Sequence, residues 1–214
     1  MKVISRLITV LTFFILTGVA HAALITSVDR ADFQTAVVGG TIDDQNFDSL
    51  AVGLLLGTLD GVTYSASGGT PIITNTFLTS TSPNGLGSTS VGFFESLESA
   101  TFSFDNAITA FAIDINTFAN TDGAYQGVLN IGDTVTSIFE VFPSTATGQF
   151  LGFVSDSAFT SITISATTGF GYTLDTLVYG DATSVVSAVP EPSTLAIFVL
   201  GLMGLASCRF KKQS

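Results

Sequence analysis

Along the middle of this chain apolar residues recur at every second position: Phe102 and Phe104, then Phe111, Ile113 and Ile115, then Ile162 and Ile164. A period of two sends alternate side chains to opposite faces of an extended strand, so each segment has one face to bury and one to leave in water. A helix cannot satisfy that pattern. The chain is therefore committed to sheets wherever it holds.

Further strands are expected around Leu24 to Thr26, Thr41 to Phe47, Gly61 to Ser67, Ile72 to Leu78, Ser90 to Glu95, Gln126 to Ile131, Val135 to Phe142, Gln149 to Val154 and Tyr172 to Tyr179. Turn signals separate them at Gly68-Gly69, Pro83-Asn84-Gly85, Asp105-Asn106, Asp122-Gly123, Gly132-Asp133 and Thr168-Gly169. One segment departs from the pattern. Asp29 to Val37 places Phe33, Ala36 and Val37 at helical spacing behind a Ser27 or Asp29 cap and stops at Gly39-Gly40, so a short helix is expected there.

Many short strands with one short N-terminal helix predict an all-β fold, a two-sheet β-sandwich of jelly-roll type. The competing β-solenoid would need a fixed repeat, and the Phe-rich strands are irregularly spaced. Nineteen Phe and no Trp are expected to fill the space between the sheets.

Both ends of the chain read differently. Met1 to Ala22 carries Lys2 and Arg6, an apolar centre from Leu7 to Val19 and the small-residue site Ala20-His21-Ala22. That is the pattern of a signal peptide removed by signal peptidase before Ala23. At the other end, Pro190-Glu191-Pro192-Ser193 leads into an apolar run that meets Arg209-Phe210-Lys211-Lys212. The uncharged stretch from Pro192 to Cys208 has 17 residues, the lower edge of the roughly 17–25 that cross a bilayer as a helix. Its cations prefer the cytoplasmic side, which places everything upstream outside.

This order of Pro-Glu-Pro, apolar helix and basic end resembles the PEP-CTERM sorting signal of Gram-negative bacteria. In that family the signal is recognised by exosortase, an integral membrane protease-transpeptidase that cuts near the Pro-Glu-Pro and passes the protein to the cell surface or an exopolysaccharide matrix. The resemblance covers residues 190 to 212, with Pro190, Glu191, Pro192, Arg209, Lys211 and Lys212 as the matching positions. With the patterns read above, the chain divides into a signal peptide at 1–22, a β-sandwich domain at 23–181, a linker at 182–189 and a sorting signal at 190–214. The resemblance implies an inner-membrane intermediate on the way to the surface.

Between Ala23 and Val189 a single base, Arg30, stands against sixteen Asp and Glu, a net charge of −15. Such a field repels nucleic acid and acidic polysaccharide, favours divalent cations and keeps a domain soluble. Nucleic acid is excluded as a partner. The same stretch holds no His, Cys or Lys, which excludes Ser-His-Asp and Cys-His catalysis, Schiff-base chemistry and His or Cys zinc sites. A carboxylate-only glycoside hydrolase stays open as an alternative, with Glu95 and Glu98 or Asp114 and Glu140 as nominal pairs. Nothing in the sequence pairs them, and on a strand Glu95 and Glu98 would face opposite sides. The expectation is a protein that is not an enzyme.

Two groups of residues are candidates for binding. Asp175 lies among apolar and aromatic residues in the expected last strand, and Asp43, Asp44 and Asp48 lie early in the domain. First and last strands of a jelly roll commonly adjoin, which would bring Asp175 toward Asp44 or Asp48, and such oxygen ligands suit calcium. That pairing looks like the structural-calcium arrangement of jelly-roll carbohydrate-binding modules. The alternative is a solvated turn with Asp175 facing outward.

Sugar binding calls for an exposed aromatic platform, and Tyr125, beside the Asp122-Gly123 turn, is its candidate; burial with a hydrogen-bonded hydroxyl is the alternative. Arg30 is expected to pair locally with Asp29 or Asp32. The functional expectation is an exported surface or matrix protein with a structural or adhesive role in the exopolysaccharide of a biofilm. A module that binds extracellular polysaccharide is the alternative.

Overall fold

A computed structural model describes residues 24–27, 29–118, 120–131 and 134–183. The expected signal peptide with Ala20, Ala22 and Ala23, and the sorting signal with Pro190, Glu191, Pro192, Arg209, Lys211 and Lys212, lie outside the described residues. So does most of the expected linker.

The described chain is all-β with one short helix. Its strands are β1 (Leu24–Ser27), β2 (Thr41–Gln45), β3 (Thr58–Leu59), β4 (Val62–Ala66), β5 (Pro71–Thr74), β6 (Gly85–Ser88), β7 (Phe94–Glu95), β8 (Ser99–Phe118), β9 (Gly123–Ile131), β10 (Thr134–Phe142), β11 (Gln149–Ala166) and β12 (Gly171–Asp181). The helix α1 (Arg30–Ala36) begins where expected: the Asp29 carboxylate accepts from the backbone N–H of Ala31 at 2.7 Å and of Asp32 at 3.3 Å. These satisfy amide donors that the first turn leaves unpaired. After the helix, Gly39 at φ +82° turns the chain toward β2.

Every ladder is antiparallel, and together they form one sheet with the order β10-β9-β11-β8-β12-β6-β5. β1 adds to β11, β2 and β7 add to β12, and β4 joins β3 to β8. The sheet curls because its two longest strands change neighbours halfway. Residues 100–104 of β8 pair with β4 and residues 99–103 with residues 161–165 of β11, whereas residues 110–118 pair with β12 and residues 110–115 with residues 149–154 of β11. Between them Asp105, Asn106 and Ala107 are exposed and the β8–β11 register shifts. A bulge at such a point bends a strand and lets it pass from one layer to the next.

The two halves of the sheet face each other across the core. The rings of Tyr125 on β9 and Tyr172 on β12 lie 5.3 Å apart, and those of Phe104 and Tyr179 lie 5.4 Å apart. Tyrosine hydroxyls tie the layers: Tyr172 donates to the Glu98 carbonyl at 2.9 Å and the Ile164 carbonyl at 3.3 Å, and Tyr179 donates to the Asp60 carbonyl at 2.9 Å. Each hydroxyl thereby reaches a partner without leaving the core. The expected layers are therefore present as one continuous curled sheet. The Asp105-Asn106 turn signal marks a bend inside β8, because polar residues serve an exposed bulge as readily as a turn.

Phenylalanine dominates the space between the layers, with Phe47, Phe94, Phe102, Phe111, Phe153 and Phe159 fully buried. A second, smaller cluster lies on the other face of β8 and β11. There Ala110 and Ala112 leave room for α1, and Phe33 packs edge-on against Phe150 at 5.4 Å. That contact fixes the helix over the sheet and positions the site described next.

Candidate functional site

On α1, Arg30, Phe33 and Gln34 share one face, because residues three and four apart are neighbours on a helix surface. Burying Phe33 against Phe150 carries Arg30 with it. Its guanidinium lies over the Phe150 ring at 4.6 Å from the centroid, and one N–H donates to the Asp114 carboxylate in an ion pair. The Arg30 side chain stays 39% exposed while that of Asp114 is 4% exposed. The expected local pairing with Asp29 or Asp32 is thus replaced by a partner on β8. Asp29 caps the helix instead, and no local pattern in the sequence marks a contact 84 residues away.

Asp114 stands opposite Asp175 in the β8–β12 ladder, and both are buried. Asp175 Oδ2 accepts from the Thr81 N–H at 2.7 Å, the Thr81 hydroxyl at 2.9 Å and the Ser80 hydroxyl at 3.1 Å, and Oδ1 accepts from the Thr176 N–H at 2.7 Å. Burial raises both carboxyls above the ordinary Asp value. Hydrogen bonds from Thr81, Thr176 and Ser80 oppose that shift at Asp175, and Ser80, Arg30 and Thr176 oppose it at Asp114. The alternative that Asp175 faces outward is thus overturned.

β2 does lie beside β12, as expected for an early and a closing strand. Its aspartates do not converge on Asp175. Asp44 is exposed and in register with Val178, while the Asp48 carboxylate accepts from the Asn84 N–H at 2.9 Å. Among the described residues no group of three or more His, Cys, Asp or Glu is placed to hold a metal ion. The calcium set of Asp44, Asp48 and Asp175 is therefore not assembled, because neighbouring strands do not by themselves bring three side chains to one point.

Tyr125 is 1% exposed and is not a surface platform. It stacks on Phe142 at 5.6 Å and meets Tyr172 edge-on, and burial pushes its phenol up to about 12. Its closeness to a turn concealed that β9 faces it into the core. The nominal catalytic pair Glu95 and Glu98 closes a local turn, with Glu98 Oε2 accepting from the Glu95 N–H at 2.9 Å.

A cleft of about 660 Å3 opens beside Arg30. Asp29, Arg30 and Gln34 line it from the start of α1, Glu140 and Val141 from the end of β10, and Gln149 and Phe150 from the start of β11. The lining offers donors from Arg30, an acceptor from Glu140, and both from the two Gln amides. Apart from Asp29, Arg30 and Glu140, the sequence singles out none of these residues. The one available signal is that Arg30 is the domain's single base.

Residues 188–212 match the family model described as the PEP-CTERM protein-sorting motif. The chain carries a PEP-CTERM sorting motif. The match spans Pro190, Glu191, Pro192, Arg209, Lys211 and Lys212. No curated protein matches the chain.

Among solved structures, the chain is similar to a xylan-binding domain from CBM 22, with a TM-score of 0.40 and 8% identity over 64% of this chain and 97% of that one. It is also similar to a carbohydrate binding module of family 29, with a TM-score of 0.36 and 12% identity over 71% and 98% of the two chains. A GH26-CBM35 β-(1,4)-mannanase of Podospora anserina gives a TM-score of 0.35 and 17% identity over 66% and 27%. At these scores nothing beyond the likeness itself follows.

Proposed function

We propose that this is an exported protein which exosortase processes at Pro190-Glu191-Pro192 and delivers to the cell surface or extracellular matrix of a Gram-negative bacterium. There its acidic β-domain has a structural or adhesive role within the exopolysaccharide. The observation that carries this reading is the match of residues 188–212 to the sorting motif. In that signal Pro190 and Pro192 hold the peptide extended, Glu191 supplies a charge at the membrane face, and Arg209, Lys211 and Lys212 fix orientation. Signal peptidase acts first, before Ala23.

The domain suits such a role. We read it as a jelly-roll-like sandwich, with the early strand β2 beside the closing strand β12. Its core is built from aromatic packing and requires no disulfide, and its charge of −15 between residues 23 and 189 favours solubility. The reading is non-catalytic: the buried carboxylates Asp114 and Asp175 are engaged by protein donors. Replacing Glu191 tests the sorting step. Glu191→Ala is expected to leave the protein in the membrane fraction with its tail attached, and normal release of that variant would count against recognition through this motif.

Binding of polysaccharide is a second reading, favoured by the mixed polar and apolar cleft beside Arg30.

A further inference from the structure

We infer that the cleft between α1 and the facing ends of β10 and β11 binds a neutral, hydroxyl-rich ligand, a short run of sugar residues within a glycan. This deepens the second reading above and does not depend on sorting.

Size comes first. At about 660 Å3 the cleft falls among small-molecule sites, which span roughly 300–1,000 Å3. Its chemistry then narrows the ligand. Gln34 and Gln149 each present two donors and an acceptor, Glu140 only accepts, and Arg30 only donates. A hydroxyl both donates and accepts, so a polyol can satisfy all four. Exposed Val141 supplies apolar surface suited to the C–H groups of a sugar, while the Phe150 ring is buried beneath Arg30.

Charge decides against anions. The Arg30 cation is neutralised by Asp114, Asp29 and Glu140 add negative charge to the lining, and the surrounding stretch carries −15, so an anion is disfavoured. A divalent metal lacks its ligand set among the described residues.

The wall is also held in place before any ligand arrives. Arg30 is fixed between Asp114 and the Phe150 ring, and Phe150 is fixed by Phe33. Arg30 therefore needs little further ordering on binding.

The test is calorimetric titration of the full chain, solubilised in detergent, with cellohexaose, xylohexaose and mannohexaose as neutral probes. Trigalacturonate serves as the anionic probe and spermidine as the cationic one. At least one neutral hexasaccharide is expected to bind saturably, and Gln34→Ala/Gln149→Ala is expected to weaken it at least tenfold with the thermal midpoint unchanged. Glu140→Gln, which keeps the shape and an acceptor, should retain most of the affinity. The inference is overturned if no neutral probe binds, if the double variant binds as well as the parent, or if either charged probe binds more tightly. Any of these results leaves the sorting reading standing, since that is judged by mass and fractionation.

Discussion

Asp114 on β8 and Asp175 on β12 face each other across one ladder as a buried carboxylate pair, each held by a different part of the chain. Arg30 of α1 engages Asp114, while Ser80, Thr81 and Thr176 engage Asp175. The domain's single base thus secures the helix to the sheet at the edge of the candidate cleft.

Removing that base leaves Asp114 buried without its cation. Breaking a buried pair from one side costs about 3–5 kcal/mol, and partial exposure of Arg30 reduces this to about 1–3 kcal/mol. Arg30→Ala is expected to lose that much in urea unfolding, and adding Asp114→Asn should recover part of it. Equal stability of Arg30→Ala and the parent would show that the pair contributes nothing.

Stability should rise as pH falls from neutral toward the ordinary Asp value of 3.8. Burial raises the folded pKa of both Asp114 and Asp175, so the folded state takes up protons more readily than the unfolded one. Their favourable contribution is complete below 3.8 and is lost as pH rises through the raised folded values. Urea midpoints measured across that window should show the trend, and Asp114→Asn/Asp175→Asn should flatten it. An unflattened trend would assign it to repulsion among the surface acids.

Tyr172→Phe removes a hydroxyl that donates to two carbonyls between the layers. The loss is expected to be roughly 1–2 kcal/mol, since buried acceptors forfeit their partner without regaining water. Chemical denaturation reads it directly, and a neutral result would mean that those carbonyls find other donors.

Millimolar calcium should leave the thermal midpoint of the protein unchanged, because Asp44, Asp48 and Asp175 are committed to separate surroundings. A calcium-dependent rise would reveal a site that these aspartates do not account for.

Much of the fold was legible from local pattern. Asp29 as a cap, Phe33 as the buried helix residue and the alternation through Phe102, Phe104, Phe111 and Ile113 reappear as expected. Strand continuity was not, because the exposed Asp105 and Asn106 look alike in a bend and in a turn. β6 was also missed: its Gly85, Leu86, Gly87 and Ser88 are all buried, yet it opens on Gly85, which reads as the end of the Pro83-Asn84-Gly85 turn. The site was less legible still. Arg30 meets Asp114, Tyr125 turns inward, and Gln34 and Gln149 come to line one cleft only after α1 docks on β11. Those relations depend on docking between elements, which local periodicity does not encode.

Sorting is tested most directly by the intact mass of the protein recovered from fractions of its native cells. The account predicts a chain that starts at Ala23, lacks the residues beyond Pro190-Glu191-Pro192 and is found at the surface or in the matrix. A chain still carrying Arg209, Lys211 and Lys212, recovered only with membranes, would contradict it.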